Sequence, residues 1–448
     1  MHSKRFTLNI NHKIKDFNRS ITVDADKSIS IRSFLIGSIC QDISKAQNIL
    51  ESEDVFSTIQ CLRKLGVMIK KTRPKTYLIY GKGLGSLIAK NNLNLNFGNS
   101  GTLARLLIGI LSTTPDIKVT LKGDSSLNKR NMKKLIDLMS SFGAQFLPKN
   151  KNNFPIKLIS TEMPIGIKYK AGVSAQLKSA VMLAGLNSFG LTEIIEEKRS
   201  RDHTENMISK NSEVIKIYNR GKKIINIKGK EFLNPINIKV PGDPSSAAFF
   251  TALTLMSKKS SLTIKHVGLN PTRIGFYELL KKHGAKIKFI NKKKINNEVV
   301  GDIKVKSGNL NKPITATKDF YEKTTDEFPI LFCIAALTRG TSVFKGVEDL
   351  ANKESNRIKE MQKILKQIGV KSVATKNQMK IYGKSSFKID NKIKVPGLGD
   401  HRICMSSTIL ALVTGVKAKI MNFKTVYTSS PNFLRIIKLL GGKFEITK

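Results

Sequence analysis

The chain of 448 residues contains no tryptophan, four cysteines and six histidines. The cysteines are widely spaced, without a C-x-x-C pair, which excludes a dense disulfide framework and indicates free thiols in a reducing compartment. No histidine pair has the H-x-x-x-H spacing of a helical metal site. Apolar runs stay well short of the roughly 18 residues of a membrane span, and the polar start does not resemble a signal peptide. We therefore expect a cytoplasmic protein without metal or cofactor.

Acidic residues are also scarce: 33 Asp and Glu face 78 Lys and Arg, for a net charge of +45. Such an excess suits a nucleic-acid-binding repeat protein, which would show tight, salt-dependent binding to DNA. However, the lysines are spread among Asn and Ile, and no aromatic-rich RNA motif, basic zipper or Cys/His finger is present. A coding bias explains the excess equally well, and a basic chain also suits a small, multiply charged anionic substrate.

One sequence pattern recurs along the chain: the apolar end of a predicted helix, a glycine, and then a predicted strand. It occurs at Gly66, Gly143, Gly284, Gly369 and Gly441, in the order typical of a left-handed helix C-cap. The interval from Gly143 to Gly284 is about twice the others, and a degenerate copy around Ser212 fits its middle. Six units of about 75 residues predict α/β architecture, with two pseudo-symmetric domains of three units each.

The stretch "NFGNSGTLARLL" is compatible with a capped helix or with an anion site. Its leucines recur on one buried stripe, and Gly101 and Arg105 fall on the opposite side. Ser100 and its polar neighbours are good caps, and a helix N-terminus also attracts anions. No Gly-Lys-Ser/Thr follows, so this is not a Walker loop.

Other polar side chains stand at predicted helix starts. Ser28 and Arg32 share a helical face behind Lys27, which predicts a carboxylate or phosphate clamp, although a cap and a solvated lysine fit too. Arg130 precedes a helix and by itself fits a surface charge. Ser174 and Gln176 begin a small-residue helix and need hydrogen-bond partners, from the backbone or a ligand.

The acidic candidates come late in the chain. Asp326 lies at the edge of an apolar helix, as a cap or as a desolvated base. Lys353 and Arg357 stand at i and i+4, like charges that favour a bound anion, and Glu354 beside them is placed to move protons. Arg402 opens another apolar helix after His401, which fits a cap as well as a catalyst.

These segments resemble the 5-enolpyruvylshikimate-3-phosphate (EPSP) synthase family over residues 20–435. The resemblance is carried by "KSISIR", "GNSGTLAR", "GDSSLNKR", "SAQLKSA", "SRDHTE", "DEFPI" to "KESNR", and "DHRICMS". The wording of several motifs is similar to bacterial class II members. The resemblance implies two inside-out α/β barrel domains, each of three βαββαβ repeats. We expect residues 23–243 in one domain and residues 1–22 with 244–448 in the other, joined by two crossover segments.

The resemblance also implies the reaction. The 5-hydroxyl of shikimate 3-phosphate attacks C2 of phosphoenolpyruvate as C3 is protonated, and the intermediate loses phosphate. It assigns the binding of phosphoenolpyruvate to Lys27, Gly101, Arg130, Arg357 and Arg402. It assigns the binding of shikimate 3-phosphate to Ser28, Arg32, Ser174, Gln176, Ser200, Asp326 and Lys353. Asp326 becomes the base, Glu354 the proton carrier at C3, and Lys27 a third catalytic residue. The herbicide glyphosate is expected to compete with phosphoenolpyruvate.

The chain departs from the family pattern at a few positions. Asn356 replaces a usual Asp, which predicts a looser hold on Arg357; Thr428 stands where some members have a late Lys, and Ala175 where some have a second Ser. The related UDP-N-acetylglucosamine enolpyruvyl transferase is the alternative, but it typically has Lys-Asn where this chain has Lys27-Ser28. We expect a monomer acting on small molecules, without nucleic acid or membrane.

Overall fold

The computed structural model describes residues 5–90, 92–308, 310–387 and 391–447. Its first elements are β1 (Thr7–Ile10), β2 (Asn18–Thr22), α1 (Lys27–Ile39), β3 (Ile43–Gln47), α2 (Glu53–Lys64), β4 (Met68–Arg73) and β5 (Thr76–Tyr80). Next come β6 (Leu93–Asn96), α3 (Gly101–Ser112), β7 (Lys118–Lys122), α4 (Lys133–Ser141), β8 (Gln145–Leu147) and β9 (Ile156–Ile159). They are followed by β10 (Lys168–Ala171), α5 (Ala175–Leu186), β11 (Leu191–Glu196), α6 (His203–Ile208), β12 (Ile215–Arg220) and β13 (Lys222–Lys228).

The second half continues the pattern. Its elements begin with β14 (Asn237–Lys239), α7 (Pro244–Met256), β15 (Ser261–Gly268), α8 (Gly275–Lys282), β16 (Ile287–Ile295) and β17 (Glu298–Lys306). Then follow β18 (Thr315–Ala316), α9 (Tyr321–Thr324), α10 (Phe328–Leu337), β19 (Gly340–Lys345), α11 (Arg357–Gln367), β20 (Lys371–Ala374) and β21 (Gln378–Gly383). The last are β22 (Lys392–Val395), α12 (His401–Thr414), β23 (Lys417–Ile420), α13 (Phe433–Leu439) and β24 (Glu445–Thr447). Short 3₁₀ helices cover Leu127–Lys129, Lys318–Phe320, Glu348–Asn352 and Phe423–Thr428.

The chain forms two compact units. One, here called the terminal unit, contains residues 1–24, 241–294 and 299–448; the other, the central unit, contains residues 25–240 and 295–298. Each unit has its own hydrophobic core. Within the central unit α3 packs against α1 and α5, and within the terminal unit α7, α10 and α12 pack against one another. These helices are buried on nearly every side, so they form the centre of each unit.

The described strands form six four-stranded sheets, three in each unit. In five of the sheets the first two strands are parallel, and the last two run antiparallel to their neighbours, as in β10-β11-β13-β12. In the sheet β16-β17-β15-β2 the parallel pair is β15 with β2, and β15 runs antiparallel to β17. In two sheets the outer strand comes from a part of the chain that is distant in sequence. These strands are β14, which pairs with β3, and β2, which pairs with β15. The N-terminal β1 completes the sheet of β22, β23 and β24.

Six repeats with helices at the centre confirm the expected fold class, with two corrections. The contiguous repeat runs βαβαββ, as in β10-α5-β11-α6-β12-β13, and the expected order βαββαβ is wrong. The reason is strand direction: β11 and β12 both run antiparallel to β13, so they are parallel and need a helical crossover. In addition, the six sheets stay separate in the described part of the chain and do not join into a closed barrel.

The recurring glycines have the predicted conformation. Gly66, Gly143, Gly284, Gly369 and Gly441 all have φ between 74° and 102°. Each follows a helix end, where a left-handed residue turns the chain away and glycine carries no Cβ penalty. The predicted degenerate copy corresponds to α6 and β12, with Ser212 in the turn between them.

Candidate active site

Lys27 is the first residue of α1, whose N-cap Asp26 accepts a hydrogen bond from the Ile29 amide at 2.9 Å. The Lys27 ammonium lies 2.9 Å from a carboxylate oxygen of Asp54, which is almost fully buried in the first turn of α2. The Lys27 side chain keeps 19% of its surface exposed. Its charge is therefore held by a carboxylate on one side and accessible on the other. No local sequence pattern indicates Asp54 as the partner of Lys27.

Arg32 is buried in the central unit, with 3% of its surface exposed. Its Nε donates to the hydroxyl of Thr204 at 2.9 Å, Nη2 donates to the hydroxyl of Ser179 at 3.1 Å, and Nη1 donates to the carbonyl of Ser28 at 3.2 Å. The hydroxyls of Ser179 and Thr204 are themselves 2.8 Å apart. The guanidinium is thus fixed by α1, α5 and α6 together.

The "NSGT" turn is both a cap and part of a basic surface. The Ser100 hydroxyl caps α3 by accepting from the Leu103 amide at 3.2 Å. A Cβ placed on Gly101 would lie 2.8 Å from Nη1 of Arg105 and 3.0 Å from Nη1 of Arg130. Glycine therefore allows two guanidinium groups to approach the helix start. The helix cap is confirmed, and an anion site at this turn stays a prediction.

Gln176 joins α3 to α5. Its side-chain oxygen accepts from Nη1 of Arg105 at 2.8 Å, and its nitrogen donates to the Thr102 hydroxyl at 2.9 Å. Ser174 is the N-cap of α5 and accepts from the Leu177 amide at 3.4 Å. Both polar side chains at this helix start therefore have protein partners, while remaining partly exposed.

Ser200 is buried at the loop between β11 and α6. Its hydroxyl donates to a carboxylate oxygen of Glu196 at 2.6 Å, and its amide donates to the same oxygen at 2.8 Å. Glu196 was missed by the sequence analysis, although an acidic residue at the end of a Val/Ile-type strand is an unusual pattern. Ser200 is consequently held in one orientation.

Arg357 is the centre of the candidate residues in the terminal unit. It is the first residue of α11, and only 1% of its surface is exposed. Nε donates to Asp400 at 3.0 Å and Nη2 donates to Glu354 at 2.6 Å. Burial would lower the pKa of Arg357, but the carboxylates of Asp400, Glu354 and Asp326 outweigh burial and raise it. The guanidinium is therefore a fixed cation.

Asp326 lies in the turn before α10, with one oxygen 3.9 Å from Nη1 of Arg357. The N-cap residue of α10 is Glu327, so the cap hypothesis for Asp326 is wrong. About a quarter of the Asp326 side chain is exposed, and about a fifth of the Glu354 side chain. Two carboxylates thus flank one buried guanidinium and remain accessible from outside.

Lys353 does not share a helical face with Arg357, which corrects that interpretation of their spacing. The 3₁₀ helix Glu348–Asn352 ends before Lys353, and α11 begins only at Arg357. Lys353 instead donates to Asp349 at 2.5 Å, and the Tyr321 hydroxyl donates to the same carboxylate at 2.9 Å. Each of the two cations has its own carboxylate, so no anion is needed to separate them.

The guanidinium of Arg402 has nitrogens that lack a hydrogen-bond partner among the described residues. It is 95% buried in the first turn of α12, its backbone amide donates to Asp400 at 2.9 Å, and its guanidinium lies 5.8 Å from the Phe249 ring centre. Within the described residues, Nε and Nη1 of Arg402 and Nη1 of Arg357 are buried without a hydrogen-bond partner. Buried donors without acceptors are costly, and charged ones are well suited to bind an anion.

The departures from the family pattern have local explanations. The Asn356 side chain caps α11 by accepting from the Lys359 amide at 3.1 Å. Arg357 is held by Asp400 and Glu354. A looser hold than with an Asp at position 356 stays a prediction. Thr428 donates to the carbonyl of Thr425 within the last 3₁₀ helix.

No group of three or more His, Cys, Asp or Glu side chains among the described residues is arranged to hold a metal ion. Among the helices described, none combines the length and apolarity needed to cross a membrane.

Comparison with known proteins identifies a family. The family model for EPSP synthase (3-phosphoshikimate 1-carboxyvinyltransferase) matches residues 11–437. The chain is 37% identical to the 3-phosphoshikimate 1-carboxyvinyltransferase of Zymomonas mobilis, over 98% of this chain and 97% of that protein. It is 38% identical to the protein of the same name from Petrotoga mobilis, over 95% and 97% of the two chains.

Solved structures agree with this result. The EPSP synthase of Acinetobacter baumannii superposes with a TM-score of 0.85 at 34% identity, covering 99% of this chain and all of that one. The enolpyruvyl transferase NikO of Streptomyces tendae shares the fold, with a TM-score of 0.74 at 12% identity over 99% of both chains.

Proposed function

The chain belongs to the EPSP synthase family, the 3-phosphoshikimate 1-carboxyvinyltransferases of the shikimate pathway, and we propose that the residues described above carry out the family's reaction. In that reaction the carboxyvinyl group of phosphoenolpyruvate passes to the 5-hydroxyl of shikimate 3-phosphate, and phosphate is released. The relatives named for this activity favour it over transfer to UDP-N-acetylglucosamine.

The observation that carries the proposal is the set of buried guanidinium donors in the terminal unit. Arg357 and Arg402 are almost fully buried, and three of their guanidinium nitrogens have no hydrogen-bond acceptor among the described residues. Phosphoenolpyruvate carries a carboxylate and a phosphate, and a planar guanidinium binds either through paired charged hydrogen bonds. Binding of phosphoenolpyruvate would supply acceptors for the guanidinium nitrogens of Arg357 and Arg402 that have no partner within the described residues.

In the central unit we assign three further residues to phosphoenolpyruvate. Lys27 supplies a partly exposed ammonium, held by Asp54. Arg130 lies where a Cβ on Gly101 would collide with it, so the absence of a side chain at Gly101 keeps this surface open to a compact anion. These contacts are geometric support for the assignment, which the family motifs also favour.

Shikimate 3-phosphate carries hydroxyls and a phosphate, and the assigned residues match those groups. Arg32 offers a buried cation, and Lys353 a partly exposed one that is paired with Asp349. Ser28, Ser174 and Gln176 are partly exposed hydrogen-bonding groups. The complete assigned set is Ser28, Arg32, Ser174, Gln176, Ser200, Asp326 and Lys353.

The two accessible carboxylates have separate roles in the proposal. Asp326 takes the proton of the 5-hydroxyl as its oxygen bonds to C2 of phosphoenolpyruvate. Glu354 donates a proton to C3, which gives a tetrahedral intermediate; it then takes a proton back from C3 as the C–O bond to phosphate breaks. Lys27 stabilises the charge on the departing phosphate. The contact with Arg357 fixes Glu354 in position for both transfers.

Comparison of two acceptors tests the proposal. Purified protein is mixed with phosphoenolpyruvate and either shikimate 3-phosphate or UDP-N-acetylglucosamine, and released phosphate is measured. Release with shikimate 3-phosphate alone supports the proposal. Release only with the nucleotide sugar, or with neither acceptor, contradicts it.

We further propose that the protein works as a monomer in the cytoplasm, with small-molecule substrates, without a cofactor and without nucleic acid or membrane partners. The four cysteines are free and buried, which fits a reducing compartment. The terminal and central units would be its two domains. Light scattering of the purified protein checks the oligomeric state.

A further inference from the structure

Four charged side chains form a buried cluster in the central unit, here called the ion quartet: Lys178, Glu196, Glu205 and Lys223. Lys178 donates to Glu196 at 2.8 Å and to Glu205 at 2.7 Å, and Lys223 donates to Glu205 at 3.0 Å. The first three side chains are at most 1% exposed, and Lys223 is 10% exposed. The two positive and two negative charges cancel.

The neighbouring opposite charges favour the ionised forms of Glu205 and Lys178 despite their burial. Burial by itself would raise the pKa of Glu205, but the charges of Lys178 and Lys223 outweigh it and lower the pKa. Burial by itself would lower the pKa of Lys178, and the charges of Glu205 and Glu196 raise it. Buried ion pairs of this kind are weak evidence for stability, since apolar replacements are often as stable. Their role therefore lies in the neighbouring side chains that they hold in position.

On one side the quartet holds Ser200. One Glu196 oxygen accepts from Lys178 and also from the hydroxyl and the amide of Ser200, at 2.6 and 2.8 Å. Three donors converging on one oxygen fix both the carboxylate and the start of the loop that leads into α6. The position of Ser200 therefore depends on Lys178 remaining charged and in place.

On the other side the quartet fixes the acceptors of Arg32. Lys178 and Ser179 are neighbours on α5, and Glu205 and Thr204 are neighbours on α6. The ion pair of Lys178 with Glu205 thus joins the same two helices whose hydroxyls, 2.8 Å apart, accept from Arg32. Movement of α6 relative to α5 would break both this ion pair and the pair of hydroxyls that binds Arg32.

We infer that the ion quartet is a positioning device for the binding of shikimate 3-phosphate, because it sets Ser200 and the hydroxyl pair that orients Arg32. Its four residues touch no reacting atom. The inference rests on the proposed function, which assigns Ser200 and Arg32 to this substrate, and it adds a role for residues outside the assigned site. Phosphoenolpyruvate binding, assigned to other side chains, is not expected to depend on it.

The test removes one opposite pair and keeps the other. In the double variant Lys223→Met/Glu205→Gln, Lys178 keeps Glu196 and the cluster stays neutral. The matched control is Lys168→Met/Glu193→Gln, which removes an ion pair of the same types at 2.8 Å from the exposed surface of β10 and β11. Thermal denaturation first establishes that each variant is folded.

In steady-state kinetics we expect the quartet variant to show a three- to tenfold higher KM for shikimate 3-phosphate, about the effect of one weakened hydrogen bond to a charged group. Its KM for phosphoenolpyruvate should change less than twofold, and the control should change neither. Calorimetric titration with shikimate 3-phosphate alone should show the same loss of affinity. Lys223→Arg, which keeps the charge, should behave as wild type.

A folded quartet variant with wild-type KM for shikimate 3-phosphate, or with equal losses for both substrates, would overturn the inference. If the double variant does not fold, Lys223→Gln alone replaces it, since that side chain is the most exposed of the four, and the same two results decide. A wild-type protein without carboxyvinyl transfer would instead refute the proposed function, so the two failures are distinguishable.

Discussion

The substitution Gly101→Ala places one methyl group against the basic surface at the start of α3. Its Cβ would lie 2.8 Å from Nη1 of Arg105, whereas ordinary contact begins at 3.4 Å, so the guanidinium must retreat by about 0.6 Å. The same nitrogen donates to Gln176 at 2.8 Å, and Arg130 must also give way. Weakening one charged hydrogen bond from Arg130 to bound phosphoenolpyruvate costs about 1–1.4 kcal/mol, which corresponds to a five- to tenfold loss of affinity.

Because Gly101 is in the first helical position and does not have a positive φ, alanine should fold normally there. We expect the KM for phosphoenolpyruvate to rise five- to tenfold, with the melting temperature within a few degrees of wild type. The longer inhibitor glyphosate should lose more affinity than the substrate, because the methyl crowds it more. Initial rates at several glyphosate concentrations and fixed phosphoenolpyruvate measure this difference.

Gly109→Ala on the same helix is the matched control. Its Cβ would lie 2.5 Å from the backbone oxygen of Ala180, so α3 and α5 would have to separate. This variant should lose stability and keep its relative affinity for substrate and inhibitor. Equal glyphosate inhibition of folded Gly101→Ala and wild type, with unchanged KM, would show that Gly101 does not line the binding surface.

Three further predictions follow from the charged and buried groups. Glu354→Gln should fold like wild type but lower kcat by about 100-fold or more in the phosphate-release assay, because it removes the proton carrier; a kcat near wild type would remove Glu354 from the mechanism. Asp400→Ala leaves the buried Arg357 without its carboxylate and α12 without its cap, and should cost about 3–5 kcal/mol in urea denaturation, whereas a loss below about 1 kcal/mol would refute this role. The native cysteines should react slowly with a thiol reagent at pH 8, because burial raises the pKa of Cys40 and Cys61 to about 12, and rapid reaction of either would contradict their burial.

A pH titration gives a test of the ion quartet that needs no substrate. The pKa of Glu205 is lower in the folded protein than its ordinary value of 4.5, so this group stabilises the fold above pH 4.5 and the stabilisation is lost as pH falls through the folded pKa. Glu205→Gln should therefore show a weaker loss of melting temperature between pH 5 and pH 3 than wild type. Identical acid profiles would show that Glu205 is not ionised in the folded protein.

Much of the fold follows from local signals in the sequence. The glycines of the recurring pattern are left-handed because each ends a helix, and Ser100, Ser174 and Asp243 cap helices with side chains that lie within three residues of the amides they bind. Such signals depend only on neighbouring residues, so they are visible without tertiary structure.

Strand direction is not a local signal, and this is why the repeat order was wrong. The sequence shows where strands lie, but only pairing shows that β11 and β12 are parallel. The pairing of β2 with β15 and of β14 with β3 likewise joins segments that are distant in sequence. No pattern within β2 or β14 indicates these partners.

In the candidate site, too, the features that depend on neighbouring residues were predicted and those that depend on tertiary packing were not. Cations at helix starts, such as Lys27 and Arg402, were predicted from spacing, and the structure places both there. Their partners were not: Asp54 is 27 residues from Lys27, and only packing of α1 against α2 brings the two together. Spacing was misleading where the helix was interrupted, since Asn356 starts a new helix between Lys353 and Arg357.

The most direct test of the central claim follows both phosphorus atoms of the reaction at once. Phosphoenolpyruvate, shikimate 3-phosphate and the protein are incubated together and observed by phosphorus NMR. The account predicts that the phosphoenolpyruvate signal is replaced by one equivalent of inorganic phosphate, while a phosphate monoester signal from the 3-phosphate persists in a new product. Loss of the 3-phosphate, or loss of phosphoenolpyruvate phosphate at the same rate without shikimate 3-phosphate, would contradict it.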